Sequence, residues 1–385
     1  MRRLPRLLVG LSAALCASCA QSSTPAPAPA EAQAGPVPAA GAKAAPAGVG
    51  PDSIAVATEG EPAKVTVFYA TDRSRTGSAD PYEYYGGEFG RLEFGTVRVS
   101  IPPSHEVGEV ESPSLVRFEF RADPEKHVVL ESVRPLERGS FFDLLQDSVS
   151  SAREPEALVF VHGYNVSFER AARRTAQLAY DLRFAGVPVL FSWPSEGKLL
   201  KYTADEQDVR LAVPHLKEVL DSLVERAGAR RIHVVAHSMG SRAVAEVLGD
   251  IRREHATPVF GEVVFAAPDI DAREWEMILA PAMVGVAERV TLYASSRDRA
   301  LRLSKTLHDY PRAGDSGEGL TVVEGIQTID ASVIDTSLLG HSYFADAVRM
   351  VQDLVRVLEE RMTPEGRALV SALKEGRMYW VLGGS

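Results

Sequence analysis

A serine at position 238 has the sequence surroundings of an activated nucleophile. The segment VVAHSMGS (234–241) is an apolar, strand-like run that leads into a turn centred on Ser238, and a helical pattern follows at once. Such a tight bend needs small residues two positions before and two after the serine, and Ala236 and Gly240 stand there. The usual pattern has glycine at both, so Ala236 is a departure by one methyl group. An ordinary turn with a capping serine is the alternative, but the strand before and the helix after favour a nucleophile elbow.

A second segment predicts where the negative charge of an acyl-transfer intermediate would be held. VFVHGYN (159–165) places His162 and Gly163 at the end of an earlier apolar run. In hydrolases with such an elbow, the loop after that strand supplies one backbone donor, and the residue after the nucleophile supplies the other. We therefore predict the N–H groups of Tyr164 and Met239 as the oxyanion hole. For the His162 side chain we predict a buried structural role that hydrogen-bonds nearby backbone.

A serine nucleophile needs a general base, and three histidines follow Ser238 in the chain: His255, His308 and His341. His255 lies too close, in or just past the helix after the elbow, and His308 fits a helix C-terminal cap. His341, in LLGHSYF, lies between the last predicted strand and the closing helix. Because these enzymes place the histidine last in chain order, we predict His341 as the base.

The acid that orients this base has two candidates. Asp298 follows the strand-like run RVTLYASS, and Asp269 follows the preceding run in AAPDID. Both lie at carboxyl ends of predicted parallel strands, which border the same crevice. We prefer Asp298, because it fits the commoner placement, and keep Asp269 as the alternative. Asp271 and the group Asp205, Glu206 and Asp208 are interpreted as solvated or helix-starting residues.

The elements around these residues predict an α/β architecture. Strand-like runs at 64–73, 92–102, SLVRFEFRA and HVVLESVRPL precede a short amphipathic helix at 140–152. From Ala157 apolar runs alternate with helical periodicities, including one long helix that Pro214 should kink, a helix near 301–307, a strand in LTVVEGIQTID and a closing helix. Such alternation implies a mainly parallel sheet with helices on both faces. We expect one domain over 63–385.

The N-terminus has the pattern of an export signal. Three arginines precede an apolar stretch that ends in small residues, so residues 1–20 are predicted to be a signal peptide. Its end, LCASC, resembles a bacterial lipobox with Cys19 as the lipidated residue, and plain secretion after Ala20 is the alternative. An Ala/Pro-rich segment at 21–62 is predicted to be a disordered linker. We expect a periplasmic protein held at the membrane by a lipid anchor.

Composition excludes several classes of function. The formal net charge is −10 and there is no long basic run, so nucleic acid is not an expected partner. Both cysteines, Cys16 and Cys19, lie in the signal segment, which leaves no thiolate metal site and no disulfide framework in the folded part. There is no HExxH zinc motif and no P-loop, so we predict no metal and no organic cofactor.

Several segments, in the same order, resemble the bacterial α/β-hydrolase family described as esterase/lipase superfamily proteins of otherwise unknown function. They cover roughly residues 64–360: VFYATDR, VFVHGYNVSFERAARRTAQLAYDL, VLFSWPS, AHSMGSR, FAAPDID, VTLYASSRDRALRLS and GHSYF. The resemblance implies the α/β-hydrolase fold and a Ser–Asp–His triad, which falls on Ser238, Asp298 and His341. It implies no natural substrate.

The resulting hypothesis is a serine hydrolase that cleaves small-molecule or lipid carboxylic esters through an acyl-enzyme. The same triad serves acyltransferases, thioesterases and peptidases, because specificity lies in the loops. A third hypothesis is an envelope binding protein that keeps the fold without activity.

Overall fold

A computed structural model describes residues 54–55, 60–113, 121–195, 202–295, 310–332 and 344–383. Its strands, in chain order, are β1 (Ile54–Ala55), β2 (Ala63–Arg75), β3 (Tyr85–Ile101), β4 (Val129–Leu136), β5 (Glu156–Val161), β6 (Val187–Ser192), β7 (Arg231–His237), β8 (Phe260–Ala266), β9 (Ala287–Ala294), β10 (Gln327–Asp330), β11 (Val370–Lys374) and β12 (Arg377–Val381). Its helices are α1 (Arg138–Ser151), α2 (Phe168–Asp181), α3 (Tyr202–Leu211), α4 (Val213–Arg226), α5 (Gly240–Glu254), α6 (Ala272–Glu274), α7 (Ala280–Met283) and α8 (Phe344–Leu358).

One sheet contains all of these strands. Its order is β11-β12-β10-β9-β8-β7-β5-β6-β2-β3-β4, and β1 pairs with β2 outside this path. The central strands from β2 through β6, β5, β7, β8, β9 and β10 to β12 pair in parallel, while β3, β4 and β11 add antiparallel edges. The predicted mainly parallel sheet is confirmed.

The strands in the middle of the sheet are largely or wholly buried, as expected for a sheet that helices cover on both faces. Every residue of β5, β6 and β8 is buried. One core contains apolar side chains of α1, α4 and α5, and the other contains those of α2 and α8. Loops at the carboxyl edge of this sheet therefore start from a rigid, close-packed base.

Proline determines how the long predicted helix is divided. The structure has two helices, α3 and α4, with Ala212 between them and Pro214 in the first turn of α4. Proline has no N–H and its ring clashes with the preceding turn, so it is accommodated where a helix begins. The interruption is local, because the Ala212 N–H still donates to Asp208 O at 3.0 Å and the Ala212 carbonyl accepts from the Leu216 N–H at 2.9 Å. This agrees with the predicted kink.

Some boundaries differ from the predictions. Ile54–Ala55, which the sequence placed in the linker, pairs antiparallel with Lys64 and Val65 of β2. The segment 272–283, predicted as one α-helix, contains a π-helical stretch at Trp275–Leu279 between α6 and α7. The strand predicted in LTVVEGIQTID is shorter than expected, because β10 contains only the last four of these residues.

The C-terminal hairpin is a further correction. The sequence was expected to close with a helix, but β11 and β12 follow α8, and β12 joins the sheet beside β10. The predicted strand at 114–122 and the predicted helix near 301–307 lie wholly or mostly outside the described residues, as do the signal segment and most of the linker. Within the described ranges, no helix combines the length and apolarity that a bilayer crossing requires.

Candidate active site

Ser238 lies in a strained turn between β7 and α5. Its φ is 49°, in the left-handed region that a residue with a Cβ rarely adopts. The Ser238 N–H donates to Ala266 O at 3.0 Å, and its carbonyl accepts from the Asp269 N–H at 3.1 Å. The side chain is 1% exposed, and its Oγ has no hydrogen-bond partner among the described residues. The turn is thus fixed by its backbone, and none of the described side chains engages the hydroxyl.

Two glycines allow the backbone to approach this turn. A Cβ on Gly240 would lie 2.2 Å from the His162 carbonyl oxygen. A Cβ on Gly163 would lie 2.8 Å from Ser238 Cβ and 2.8 Å from His237 Nδ1. Neither position has room for a side chain, because the neighbouring atoms belong to the backbone or to buried groups. The loop after β5 therefore lies directly against the nucleophile turn.

The predicted oxyanion donors flank this contact. Met239 immediately precedes α5, so its N–H is close to the first turn, whose N–H groups lack partners within the helix. Tyr164 follows Gly163 in the loop, is 7% exposed and packs edge-on against Tyr202 at 5.2 Å between ring centroids. The structure thus brings the segments of both predicted donors to Ser238.

His162 has a structural role, as predicted for its side chain. Its ring is buried and stacks on Trp193 at 5.0 Å. Its Nδ1 lies 2.8 Å from Gly163 O. A carbonyl can only accept, so Nδ1 carries the proton, and Nε2 is left to accept from Arg73 Nη2 at 3.3 Å. Burial and the nearby Arg73 charge lower the pKa of His162 well below its usual value, which keeps the ring neutral.

His237, next to the nucleophile, is a buried histidine of a different kind. Neither ring nitrogen has a hydrogen-bond partner among the described residues. Burial lowers its pKa to about 4, and the charge of Arg174 acts in the same direction. The ring is therefore neutral at physiological pH and acts as packing beside Gly163.

Asp269, the alternative triad acid, is fully buried and heavily engaged. Tyr202 Oη donates to its Oδ2 at 2.5 Å. Arg312 Nε lies 3.3 Å from Oδ1, and Arg242 Nη2 lies 3.7 Å from the same oxygen. The two guanidinium groups compensate the charge of this carboxylate. No sequence pattern identified Tyr202 or Arg312 as partners of this carboxylate, whereas Arg242 lies one helical turn after Ser238.

The remaining predicted site residues, Asp298, His341 and Cys19, lie outside the described residues. Asp205 lies in the first turn of α3, in agreement with the helix-starting interpretation, but the solvated alternative is wrong. The residue is fully buried and accepts a hydrogen bond from the Asn165 N–H at 3.2 Å. Glu206, in the same group, is mostly buried and accepts from Arg242 Nη1. Among the described side chains, no group of three or more His, Cys, Asp or Glu residues is arranged to hold a metal ion.

Comparison with known proteins places this site in a family. Residues 137–361 match the family model described as "Alpha/beta hydrolase of unknown function (DUF900)". The uncharacterized protein alr1448 of Nostoc sp. is 29% identical over an alignment 126 residues long; the match covers 26% of this chain and 33% of that curated relative's length.

Solved structures of two hydrolases are also similar to parts of the chain. A "predicted CIB-like hydrolase" from Thermoplasma acidophilum is 14% identical with a TM-score of 0.33, over 59% of this chain and 91% of that one. A monoacylglycerol lipase from Paleococcus ferrophilus is 14% identical with a TM-score of 0.31, over 54% of this chain and 95% of that one. At these TM-scores the likeness carries no information about substrate.

Replacing Gly240 with alanine should destabilise the elbow. The new methyl would lie 2.2 Å from a backbone oxygen, so β5 and α5 would have to separate. We expect a loss of about 1–3 kcal/mol in the free energy of unfolding, measured by urea denaturation. Gly139→Ala in α1 is the control, because its Cβ would meet nothing within 4 Å. Equal urea midpoints for Gly240→Ala and Gly139→Ala would contradict the close approach of the His162 carbonyl to Gly240.

The buried His237 should make folding stability fall in mild acid. Its folded pKa of about 4 lies below the value of about 6.5 expected for an unfolded chain. Between these pH values the unfolded chain binds a proton that the folded chain excludes. The free energy of unfolding should therefore decrease as pH falls from about 6.5 to about 4, by on the order of 3 kcal/mol from this residue.

The measurement is urea unfolding across that pH range. His237→Asn should flatten the profile, because it removes the group whose protonation the folded chain excludes. An unaltered slope in His237→Asn would show that the ring is not excluded from protonation.

Proposed function

Since the chain belongs to the α/β-hydrolase family of unknown function (DUF900), we propose that it is a serine hydrolase that cleaves carboxylic esters through Ser238. The observation that carries the proposal is the state of this residue. A non-glycine backbone is held at φ 49° between a buried strand and a helix, and the hydroxyl has no partner among the described residues. Strain of this kind persists where the surrounding structure imposes it, and it is characteristic of functional sites.

The proposed reaction begins with attack of Ser238 Oγ on the acyl carbonyl. The negative charge that develops on the carbonyl oxygen would be met by the N–H groups of Tyr164 and Met239. Collapse expels the alcohol and leaves an acyl-enzyme, which water then hydrolyses. The close contact of Gly163 with Ser238 supports this arrangement, because Tyr164, whose N–H is one of the two donors, directly follows Gly163.

His341 is the proposed general base, and Asp298 the proposed acid that orients it. The engagement of Asp269 supports this choice of acid. Its carboxylate already accepts from Tyr202 and is flanked by Arg312 and Arg242, so its field at an imidazolium would be largely cancelled. We assign Asp269 the role of bracing the turn, through its backbone hydrogen bond to Ser238.

Location and substrate class extend the proposal. The N-terminal signal and lipobox pattern support attachment to the membrane through Cys19 at the periplasmic face, with free secretion as the alternative. A small-molecule or lipid ester is the proposed substrate. Acyltransfer, thioester cleavage or peptide cleavage would use the same residues, and turnover of matched ester, thioester and amide substrates separates them.

A fluorophosphonate probe should label the protein at Ser238. Labelling requires an activated serine, so wild-type protein should react and Ser238→Ala should not. Ser241→Ala is the matched control, since Ser241 is also buried and its Oγ likewise lacks a partner among the described residues. It should label like the wild type. Absence of labelling in folded wild-type protein would favour the inactive binding protein.

Substitution of the two candidate acids should give opposite results. Asp298→Asn should lower kcat by about 10⁴-fold, as loss of the orienting carboxylate does in serine hydrolases, with little change in stability. Asp269→Asn should mainly lower the free energy of unfolding, by about 3 kcal/mol, because it leaves two buried guanidinium groups uncompensated. Kinetics with an activated ester and urea denaturation measure both effects. If Asp269→Asn instead lowered kcat by about 10⁴-fold and Asp298→Asn did not, Asp269 would be the triad acid.

A further inference from the structure

The segment VFYATDR (67–73) ends in an arginine that has no role in the reaction described above. Arg73 lies two residues before the end of β2, and it is only 1% exposed. A buried guanidinium is costly unless it is paired and fully hydrogen-bonded, so its partners indicate why it is there.

Arg73 binds the loop after β5 at both ends. Its Nη2 donates to Val166 O at 2.7 Å and lies 3.3 Å from His162 Nε2. Its other nitrogens attach the same guanidinium to the neighbouring segments, through Ser192 Oγ at 2.9 Å, Ser195 O at 2.9 Å and Gly86 O at 3.0 Å. The loop 162–166 is therefore tied to β6 and β3 through one side chain.

Asp205, at the start of α3, holds the same loop from the other side. Its Oδ2 accepts from the Asn165 N–H at 3.2 Å and from Ser195 Oγ. Ser195 Oγ in turn accepts from the Val166 N–H at 3.1 Å. The carboxylate and the guanidinium thus share Ser195 as a link, and together they fix the residues that follow Tyr164.

The charges in this region compensate one another. Burial lowers the pKa of Arg73 to about 10, while Asp72, Asp205 and Asp208 oppose that shift, so the guanidinium is charged at neutral pH. Asp72 is buried beside it and pairs with His215 at 3.2 Å. The network carries its own counter-charges and needs no ligand to neutralise it.

The loop has little freedom to compensate if these contacts are lost. Asn165 has a φ of 60°, and Gly163 already lies against Ser238. An oxyanion donor must lie within about 2.7–3.1 Å of the developing charge, so a small shift removes its effect. Precise placement of the Tyr164 N–H thus depends on what holds 162–166.

We propose that Arg73 is a positioning residue, which together with Asp205 holds loop 162–166 in the geometry that presents the Tyr164 N–H to the reacting carbonyl. This rests on the proposed function. It assigns a mechanical role to the end of VFYATDR, which lies outside the family-matched range 137–361.

The test uses Arg73→Lys in the full chain. Lysine keeps the charge but cannot form the same set of hydrogen bonds. Amide hydrogen exchange in peptides that cover 162–167 should become about 10–100-fold faster, while exchange in β7 stays the same. With an activated ester, kcat should fall by about 100-fold and KM should change little, because a displacement of about 1 Å affects transition-state contacts more than binding.

Arg75→Lys is the matched control, since Arg75 lies on the same strand, is largely exposed and pairs with Glu93. It should leave exchange and kcat unchanged. Ser195→Ala provides a second route if Arg73→Lys does not fold. It removes the neutral link between Val166 and Asp205, and it should increase exchange at 162–167 and lower kcat to a smaller extent.

Wild-type exchange at 162–167 in a folded variant would overturn the proposal, and so would faster exchange with an unchanged kcat. The exchange measurement needs no turnover. Absence of Ser238-dependent turnover in the wild type would therefore reject the proposed function. Normal wild-type turnover, combined with exchange at 162–167 that Arg73→Lys does not change, would reject the role of Arg73.

Discussion

The contact between the His162 carbonyl and Gly240 is the constraint on which the rest of the site depends. Strands β5 and β7 are parallel neighbours, with Val161 opposite Ala236, so the chain leaves both strands at the same level of the sheet. The two turns then meet, and the absence of a side chain at Gly240 and Gly163 lets them touch. A nucleophile from one strand and a donor loop from the next follow directly from this register.

Much of this arrangement could be predicted from local sequence. The apolar runs of β5 to β9, the small residues around Ser238 and the kink at Pro214 each have a short-range physical cause, and each was identified. The role of Asp205 could not be predicted, because an acidic residue near the start of a helix is usually solvated. Only the tertiary structure shows that the Asp205 carboxylate binds loop 162–166. The hairpin β11–β12 was missed for a related reason, since half-exposed residues in short segments give a weak periodic signal.

Charges around the elbow are buried in compensated groups. Asp269 is compensated by Arg312 and Arg242, and Arg73 by Asp72 and Asp205. The histidines closest to Ser238 among the described residues, His162 and His237, are neutral. In the proposed reaction, the oxyanion that develops on the substrate carbonyl would therefore form beside carboxylates and guanidinium groups that already compensate one another. Backbone donors are most effective in such a buried, preorganised site.

The position of β2 in the sheet has a consequence for the limits of the domain. Residues 137–361 match the family model, yet β2 lies before them and pairs in parallel with β6 from Phe68 to Thr71. A chain cut to the matched range would leave β6 as an open edge, with unpaired N–H and C=O groups along a mostly apolar strand, which is a template for aggregation. The N-terminal strands therefore belong to the folded sheet, although they lie before the family-matched range.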